Sequence, residues 1–546
     1  MEGTVENKYV LAMYDIRGKQ EFIYRSTKIK EIMGASLIIR DLFKDYLYGA
    51  AIQYRDRDKQ DVIGNIPAIK SYDPNKEELD QFSFQEFEDS MKKEQYLGEI
   101  VYDGGGNFIL LFKDEETAIG VTEIFTKEIL KNIGSLRVLC TYIKNVNLNL
   151  YHGTRDKPGD YEKLYEKHRL TESSVLVALP YGTLPIVQTD PGSGHPLTAY
   201  YTDSPHEGGY IKFSLENQAK RIKYEDEYQH AMEDDKKILD DIVKETRGED
   251  SMLAVFYIDG NSMGAKVQAC LQGKTGYDEC VNALRAFSKD IQKNFIDDRK
   301  KDIQVHKRLI IGAGDEITVI SRADEAYSVI KEYLENLPAP FSSCAGAAIF
   351  HSHAPFADAY RIAEACCENC KKYMKKHEIT SMNLMDFEYL QGGIGLKLKT
   401  IRIGNGDLYN SRPWQVERKN QKSKEDQADE QKIRTLTKDK QAISVAFVEK
   451  VNRILSLLGK SNVKGLLIPS MLSDSALRTD VRRILAHSPR EKKQQILDEI
   501  VKLMGLQEGD ATENNAISFF IENRRLIKDL VRMYDVNFGR EETNCE

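Results

Sequence analysis

Apolar positions along the chain fall into two rhythms that return in the same order. Residues 8–14, "KYVLAMY", are a strand-forming run, and the stretch after them carries apolar residues at helical spacing through Ile29, Ile32, Leu37 and Phe43. A hairpin is predicted at "EIVYDGGGNFILLF", a helix over about 115–132, and a strand near "LRVLCTYI". Later, "SMLAVFYIDGNSMGAKVQACLQ" reads as a strand running into a helix and "KRLIIGAGDEITVISR" as a hairpin. "ADEAYSVIKEYLENL" then reads as a helix and "FSSCAGAAIFHSH" as a strand followed by another helix. Matching the hairpins sets "GGGNF" (Gly104 to Phe108) against "GAGDE" (Gly312 to Glu316), an internal repeat of element order more than of residue identity.

Between the copies, "TLPIVQTDPGSGHPLTAYYTDSPHEGG" is rich in turn formers, and "ENQAKRIKYEDEYQHAMEDDKKILDDIVKET" reads as a charged helix. "VERKNQKSKEDQADEQKIRTLTKDK" has almost no apolar residues and reads as a solvated linker. Beyond it, Ile443, Phe447, Val451, Ile454 and Leu458 share a helix face with Gly459 as C-cap, and helices follow at about 474–486, 491–505 and 514–533. The expected organisation is a first α/β module at 1–170, a connector at 171–247, a second module at 248–403, a charged linker at 404–436 and a helical domain at 437–546.

At 546 residues the chain exceeds what one hydrophobic core supports. Its 41% hydrophobic and 30% charged residues describe a water-compatible chain, and no apolar run approaches the roughly 18 residues that span a bilayer. The N-terminus lacks a basic start followed by an apolar core, so the expected compartment is the cytoplasm, with no membrane partner. Eight cysteines without paired CxxC spacing support neither a disulfide framework nor a zinc ribbon. Cys366, Cys367 and Cys370 of "CCENC" read as small buried side chains. A net charge of -8 gives no global attraction to nucleic acid, so contact with polyphosphate needs a local basic patch or a metal.

The chemistry concentrates in the second module. If the end of its first strand lies beside the hairpin turn, Asp259 approaches Asp315 and Glu316, and three carboxylates make a hard oxygen site suited to Mg²⁺ or Mn²⁺. Asp259, Asp315 and Glu316 are the candidate catalytic residues, and with Ile258 beside Asp259 they are the candidate metal ligands. Without a cation such crowding would be unfavourable. In "GNSMG", Gly260, Asn261, Ser262, Met263 and Gly264 open a helix whose free backbone amides favour phosphate. Gly312, Ala313 and Gly314 of the hairpin turn are further candidate nucleotide contacts, and Lys371 and Lys372 on the last helix can reach terminal phosphates. Metal plus phosphate cradle points to a nucleoside triphosphate, and a two-metal site to nucleotidyl transfer. A "DE" pair at an exposed hairpin needs no ligand when taken alone; its occurrence with Asp259 and the small-residue turn in the right element order favours the metal reading. In the first module the strand ends in Asp15, while Asn107 and Phe108 take the places of the hairpin acids, so that copy should not bind two metals.

"YDIRGKQEFIYRSTKIKEIMGASLIIRDLF", "GGGNFILLF", "YIDGNSMG", "GAGDEITVI", "HSHAPFADAYRIAEACCENCKK" and "SRPW" (Ser411 to Trp414) resemble, in order, landmarks of the large subunit of type III CRISPR effector complexes. The resemblance covers about residues 8–415. It implies an α+β chain of two ferredoxin-like Palm domains with a C-terminal all-helical domain, making cyclic oligoadenylate from ATP in antiviral defence. By the same resemblance, Asp259, Asp315 and Glu316 hold the metals, the 260–264 loop contacts phosphates and Lys371 is the basic residue of the final Palm helix. Ser26, Lys28 and the turn Gly104, Gly105, Gly106 and Asn107 would help seat a second nucleotide. Partners compatible with it are crRNA and target RNA, small helical subunits at the C-terminal domain, and further copies of the chain. The chain departs from the family in having Ala313 and Glu316 where GGDD is usual, a GGDEF-like variation. It also has no HD nuclease module before the first strand, so no DNA cleavage is expected, and no cysteine ribbon between the Palms. The rival reading is a catalytically silent scaffold that binds nucleotide, guide RNA or partner proteins.

Overall fold

The computed structural model describes residues 8–26, 28–57, 67–72, 80–92, 96–104, 106–174, 185–190, 193–201, 211–228, 251–299, 307–390, 397–404, 410–419, 423–436, 441–536 and 538. The chain divides into two compact units. The first comprises residues 1–236, 263–297 and 310–315, and the second 237–262, 298–309 and 316–546.

In the first unit the elements run β1 (Val10–Arg17), α1 (Lys19–Tyr24), α2 (Ile29–Leu42), α3 (Tyr48–Asp56), β2 (Ile69–Lys70), α4 (Phe84–Lys92), β3 (Gly98–Gly104), β4 (Asn107–Phe112), α5 (Glu115–Asn132), β5 (Arg137–Lys144), α6 (Asp160–Ser174), β6 (Leu197–Tyr201), β7 (Ile211–Ser214) and α7 (Leu215–Tyr228). The sheet order β2-β3-β4-β1-β5 contains the antiparallel ferredoxin-like arrangement, with β1 central between β4 and β5. Val10, Ala12 and Tyr14 turn to one face, where the Tyr14 ring meets Phe43 and Phe125 edge-on. Leu11 and Met13 turn to the other, as period-two alternation requires. α5 begins where the Asp114 carboxylate accepts the Thr117 amide at 2.8 Å.

The helical pattern expected directly after residue 14 starts later and in pieces. β1 runs through Asp15 to Arg17, and Gly18 at φ 63 reverses the chain before α1. A second break falls at 25–28, where the buried Ser26 hydroxyl accepts the Lys28 amide at 3.1 Å. The charged helix expected at 216–246 is described only as far as Tyr228, and the rest of it lies outside the described residues.

α8 (Met263–Leu271) and α9 (Tyr277–Ile291), expected to belong to the second module, cluster with the first unit. Leu271, Tyr277, Cys280, Val281 and Leu284 join the core built on Leu11, Met13, Phe82 and Phe87. Arg285, almost fully buried, donates to the Asp80 carbonyl at 3.0 Å and to Glu99 at 3.3 Å. Strand order alone does not reveal which sheet such a helix covers.

The second sheet is built on β8 (Met252–Gly260), with β9 (Lys307–Ala313, of which residues 310–313 cluster with the first unit), β10 (Glu316–Arg322), α10 (Ala326–Asn336), β11 (Ser343–His351), α11 (Phe356–Lys376) and β12 (Asn383–Tyr389). The sheet order β14-β13-β12-β11-β8-β10-β9 repeats the ferredoxin-like core and extends it past β11. α12 (Leu398–Gly404), β13 (Trp414–Val416), α13 (Lys424–Thr435), β14 (Ile443–Ser444) and α14 (Val445–Leu458) follow. α15 (Lys460–Gly465), α16 (Leu467–Leu472), α17 (Asp474–His487), α18 (Arg490–Met504), α19 (Glu513–Glu522) and α20 (Arg524–Arg532) complete the chain. The C-terminal helices lie close to the expected positions, and Gly459 at φ 82 ends α14.

The expected solvated linker needs correction. Its centre is α13, opened by a capping box between Ser423 and Asp426. Asp426 and Asp429 are buried: Asp429 accepts the Thr380 and Ser381 amides, each at 2.8 Å, and Asp426 accepts the Ser381 hydroxyl at 2.6 Å. The segment docks through carboxylates onto backbone donors, with Ile433 as the one buried apolar side chain of α13, so hydrophobic patterning gives no sign of it. No described helix is long and apolar enough to cross a membrane.

Candidate functional site

β8 is buried from Leu253 to Ile258 and then presents Asp259. Alternation puts Tyr257 and Asp259 on the same face. Asp259 pairs directly with Glu316 on β10 and with Cys344 on β11. Side chains directly opposite in an antiparallel pair have Cβ atoms about 4.5–5.5 Å apart, and like charges there are destabilising. α11 supplies the compensation: Lys371 forms a salt bridge with Asp259 and approaches the Gly260 carbonyl at 3.4 Å. Burial opposes the Lys371 charge, but Asp259 prevails and holds the ammonium above its ordinary pKa. The Tyr257 phenol is driven far up, first by burial and then by Glu316 and Asp259, so it stays neutral beside both acids.

α11 reaches this position because β11 carries Gly346. A Cβ there would lie 1.9 Å from the Ala363 carbonyl oxygen and 2.3 Å from the Cys367 amide nitrogen. The cysteines of "CCENC" face the same contact. Cys366, Cys367 and Cys370 are buried, the Cys367 thiol donates to the Cys344 carbonyl at 3.2 Å, and burial pushes all three thiols up. They pack the helix against the strand as protonated thiols.

The division between the units falls between Asp315 and Glu316, leaving Asp259 and Glu316 together in one of them. Asp315 occupies the second turn position after Gly314, and both residues are partly exposed. Gly314 carries the positive φ, at 64°, while Ala313 sits in β9, so the alanine in place of a family glycine is tolerated. Ile258 is fully buried, with its side chain on the face opposite Asp259, and offers no side-chain donor. Gly260 ends β8, opposite Ser343. The Asn261 side chain, expected to face phosphate, instead donates to the Met382 carbonyl at 2.9 Å and the Ser342 hydroxyl at 3.1 Å, anchoring the turn. Ser262 is exposed and held at φ 56. Met263 and Gly264 open α8, and Gly264 has open space where a side chain would stand. Lys372 points outward to Glu368 at 2.9 Å.

Among the described residues, no group of three or more His, Cys, Asp or Glu side chains gathers closely enough to hold a metal ion. The donor set does suit a divalent cation in part. Two hard carboxylates stand opposite each other, beside a lysine that now neutralises one of them.

The first unit repeats this register with different chemistry. Asp15 pairs with Asn107 on β4 and Leu139 on β5. Because Glu316 and Asn107 each begin the strand after a two-residue turn, Asn107 corresponds to Glu316 and Gly106 to Asp315, one position away from the match by glycines. Phe108 is a core residue stacked on Phe43 at 4.6 Å. Sequence reasoning missed the partners of Asp15: Arg17 at 3.1 Å and His168 of α6 at 3.4 Å, whose Nδ1 lies 3.2 Å from the Thr141 hydroxyl. His168 stands on α6 as Lys371 stands on α11, and only the fold shows that equivalence. Ser26 is buried with its hydroxyl donating to Glu31, so it is not available to a nucleotide, and Lys28 lies 3.6 Å from the same Glu31. Gly104 ends β3, Gly106 adopts φ 81, and Gly105 lies outside the described residues.

No family model matches the sequence, and no curated protein matches it. The chain is similar to Csm1 structures. Csm1 of T. onnurineus shares 12% identity, with 98% of this chain and 70% of that one covered at a TM-score of 0.45. A Csm1–Csm4 cassette in complex with cA4 shares 11%, covering 98% and 70% at 0.43. One in complex with pppApA shares 12%, covering 67% and 53% at 0.37, so this chain spans about half the length of that relative. At such identity and overlap the likeness carries no residue role from those proteins to this chain.

Proposed function

We propose that the chain is a nucleotidyltransferase that joins ATP into cyclic oligoadenylate-type products. The observation that carries this reading is the cross-strand pair Asp259–Glu316 with Lys371 bound to it, at a strand end followed by the exposed Ser262 turn. The ordered motif resemblance supports the product class. Asp259 and Glu316, with Asp315 beside them in the chain, would hold Mg²⁺ or Mn²⁺. Such an ion, when bound, supplies neutralisation of the triphosphate and acidification of the attacking hydroxyl. The Lys371 ammonium, seated beside Asp259, would donate to phosphate oxygens. The turn after Gly260, fixed by the Asn261 amide donating to the Ser342 carbonyl at 2.8 Å, would present the exposed Ser262 hydroxyl to the same triphosphate. A 3′-oxygen attacks the α-phosphorus, the bond to the β-phosphate bridging oxygen breaks, the hydroxyl proton passes to solvent and pyrophosphate leaves.

Incubating the full chain with labelled ATP and Mn²⁺, with and without an RNA-bound effector complex, tests this. Pyrophosphate release that Asp315→Asn abolishes is expected, whereas no release under either condition would remove the enzymatic reading. A second reading, a silent scaffold, is favoured by the ungathered third acid and the lysine already seated on Asp259. It expects ATP binding with no dependence on divalent cation, which calorimetry with and without Mn²⁺ decides.

A further inference from the structure

Behind α11 the second unit buries a neutral network of three carboxylates and three guanidiniums that the proposed chemistry does not use. Asn369, two residues before Lys371, donates to Asp386 at 2.7 Å. The other oxygen of Asp386 accepts Arg402 at 2.7 Å. Arg402 and Arg412 both reach one oxygen of Glu388, each at 3.2 Å, and Arg532 of α20 reaches the other at 2.9 Å. Asp529, also on α20, lies 3.5 Å from Arg412 and accepts the Ser411 amide at 2.8 Å. Ser411 and Arg412 open "SRPW", whose Trp414 indole donates to the Ser411 hydroxyl at 3.0 Å.

Replacing a buried ion network of this kind by apolar side chains is often neutral or stabilising, so its presence argues for fixed geometry more than for stability. It links two places: α20 at one end, and at the other the turn of α11 that bears Lys371.

We infer that Arg532 and Asp529, acting through Glu388, Arg402, Asp386 and Asn369, are positioning residues for Lys371, so that the C-terminal helices set how α11 presents its ammonium to a triphosphate. This rests on the proposed nucleotide site and names a control on it. A partner docking on the C-terminal helices then has a route to the site that needs no contact with nucleotide.

The test compares ATP with adenosine by calorimetry on the full-length Arg532→Ala, Asn369→Ala and Arg532→Lys variants, with melting curves to confirm folding. Arg532→Ala and Asn369→Ala should weaken ATP binding about fivefold, leave adenosine binding unchanged, and have no further effect in a Lys371→Ala background. Arg532→Lys, which keeps the charge facing Glu388, should restore ATP binding. Folded variants that bind ATP as the wild type does, or that lose adenosine equally, overturn the inference. Should Arg532→Ala not fold, Asn369→Ala and Arg532→Lys decide it. Should the wild type bind no ATP, the nucleotide reading fails. The positioning claim is then decided by amide exchange over residues 367–376, which must quicken in Asn369→Ala while the amides of β8 and β10 hold.

Discussion

The two ferredoxin-like modules present the same register around the same strand-end aspartate and differ in what surrounds it. Asp15 faces Asn107 across the strand pair, pairs with Arg17, which also pairs with Glu172, and lies 3.4 Å from His168 of the following helix. Asp259 faces Glu316 and is compensated by Lys371 from the equivalent helix. The first arrangement sets a single carboxylate opposite a neutral amide, beside an arginine that Glu172 shares. The second places two carboxylates directly opposite each other, with the Lys371 ammonium on one of them. A single position at the start of a β-strand, Asn107 or Glu316, thus sets whether one or two carboxylates face each other across the sheet.

The same substitution made in both modules breaks or sharpens this contrast most strongly. Under the proposed function, Asp259→Asn should lower pyrophosphate release from ATP by about 10²–10³-fold, since Asp259 is there a proposed metal ligand. Asp15→Asn should change the rate by less than about threefold, because the first cluster holds no reacting group. Equal losses in the two variants, measured at matched folded fraction, would falsify the division of roles.

Acid separates the units by their buried carboxylates. In the first, burial opposes the Glu216 charge, but His195, Lys220 and Arg25 prevail and hold its carboxyl down to about 2. In the second, burial is likewise outweighed at Glu388, by Arg412, Arg532 and Arg402, and its pKa falls below the ordinary value. Both groups are depressed, so each contributes stability that is present above the unfolded-state pKa and lost as pH falls through the folded one. For Glu216, held from the ordinary carboxyl value of 4.5 down to about 2, that contribution is on the order of 3 kcal/mol. Denaturant melts taken between pH 6 and pH 2.5 should show a steep loss of stability below about pH 4.5. Glu216→Gln should start lower and lose less on acidification.

How much of this was legible in the sequence depends on which kind of signal carried it. Alternation and helical spacing announced β1, β8, both hairpins and the C-terminal helices, because each buries an apolar face. The nomination of Asp259 and Glu316 rested on a strand end and a turn, which local sequence does reveal. α13 was hidden because it docks by carboxylates, although "SKED" carries a capping box that marks its start. The pairing of Asn107 with Asp15 was misread by one position because glycine identity was matched instead of turn length. Lys371 stood out as a lysine on a helix, but its hold on Asp259, like that of His168 on Asp15, depends on how the helix crosses the sheet. The buried network around Glu388 joins residues far apart in the chain, and no spacing rule predicts it.

The strand position two residues before each cluster gives a smaller effect. Gly346 pairs with Tyr257, and Thr141 holds the equivalent place opposite Met13. Gly346→Ala would set a methyl against the backbone of α11, so a loss of about 1–3 kcal/mol is expected from overpacking, with weakened ATP binding as the helix bearing Lys371 shifts. Thr141→Ala adds no atoms and removes the γ-methyl together with the hydroxyl beside His168, which should lower stability by about 1–2 kcal/mol and leave ATP binding unchanged. Paired chemical melts and calorimetry read both quantities.

The smallest effect, and the most direct probe of the charge argument, comes from exchanging the facing residues. Glu316→Gln removes the like charge opposite Asp259 while keeping the side-chain length. The metal-free protein should therefore become more stable by about 0.5–1 kcal/mol, even as ATP turnover is lost. Asn107→Glu does the reverse in the first unit: it sets a second acid opposite Asp15, beside an arginine that Glu172 shares, and should cost about 0.5–1 kcal/mol. The two shifts should also respond differently to ions. Raising Mn²⁺ should stabilise the wild type more than Glu316→Gln, because only the wild type offers two facing carboxylates. If Glu316→Gln proves less stable without metal, the acids do not repel across the strands. The facing carboxylates would then not be what distinguishes the second module from the first.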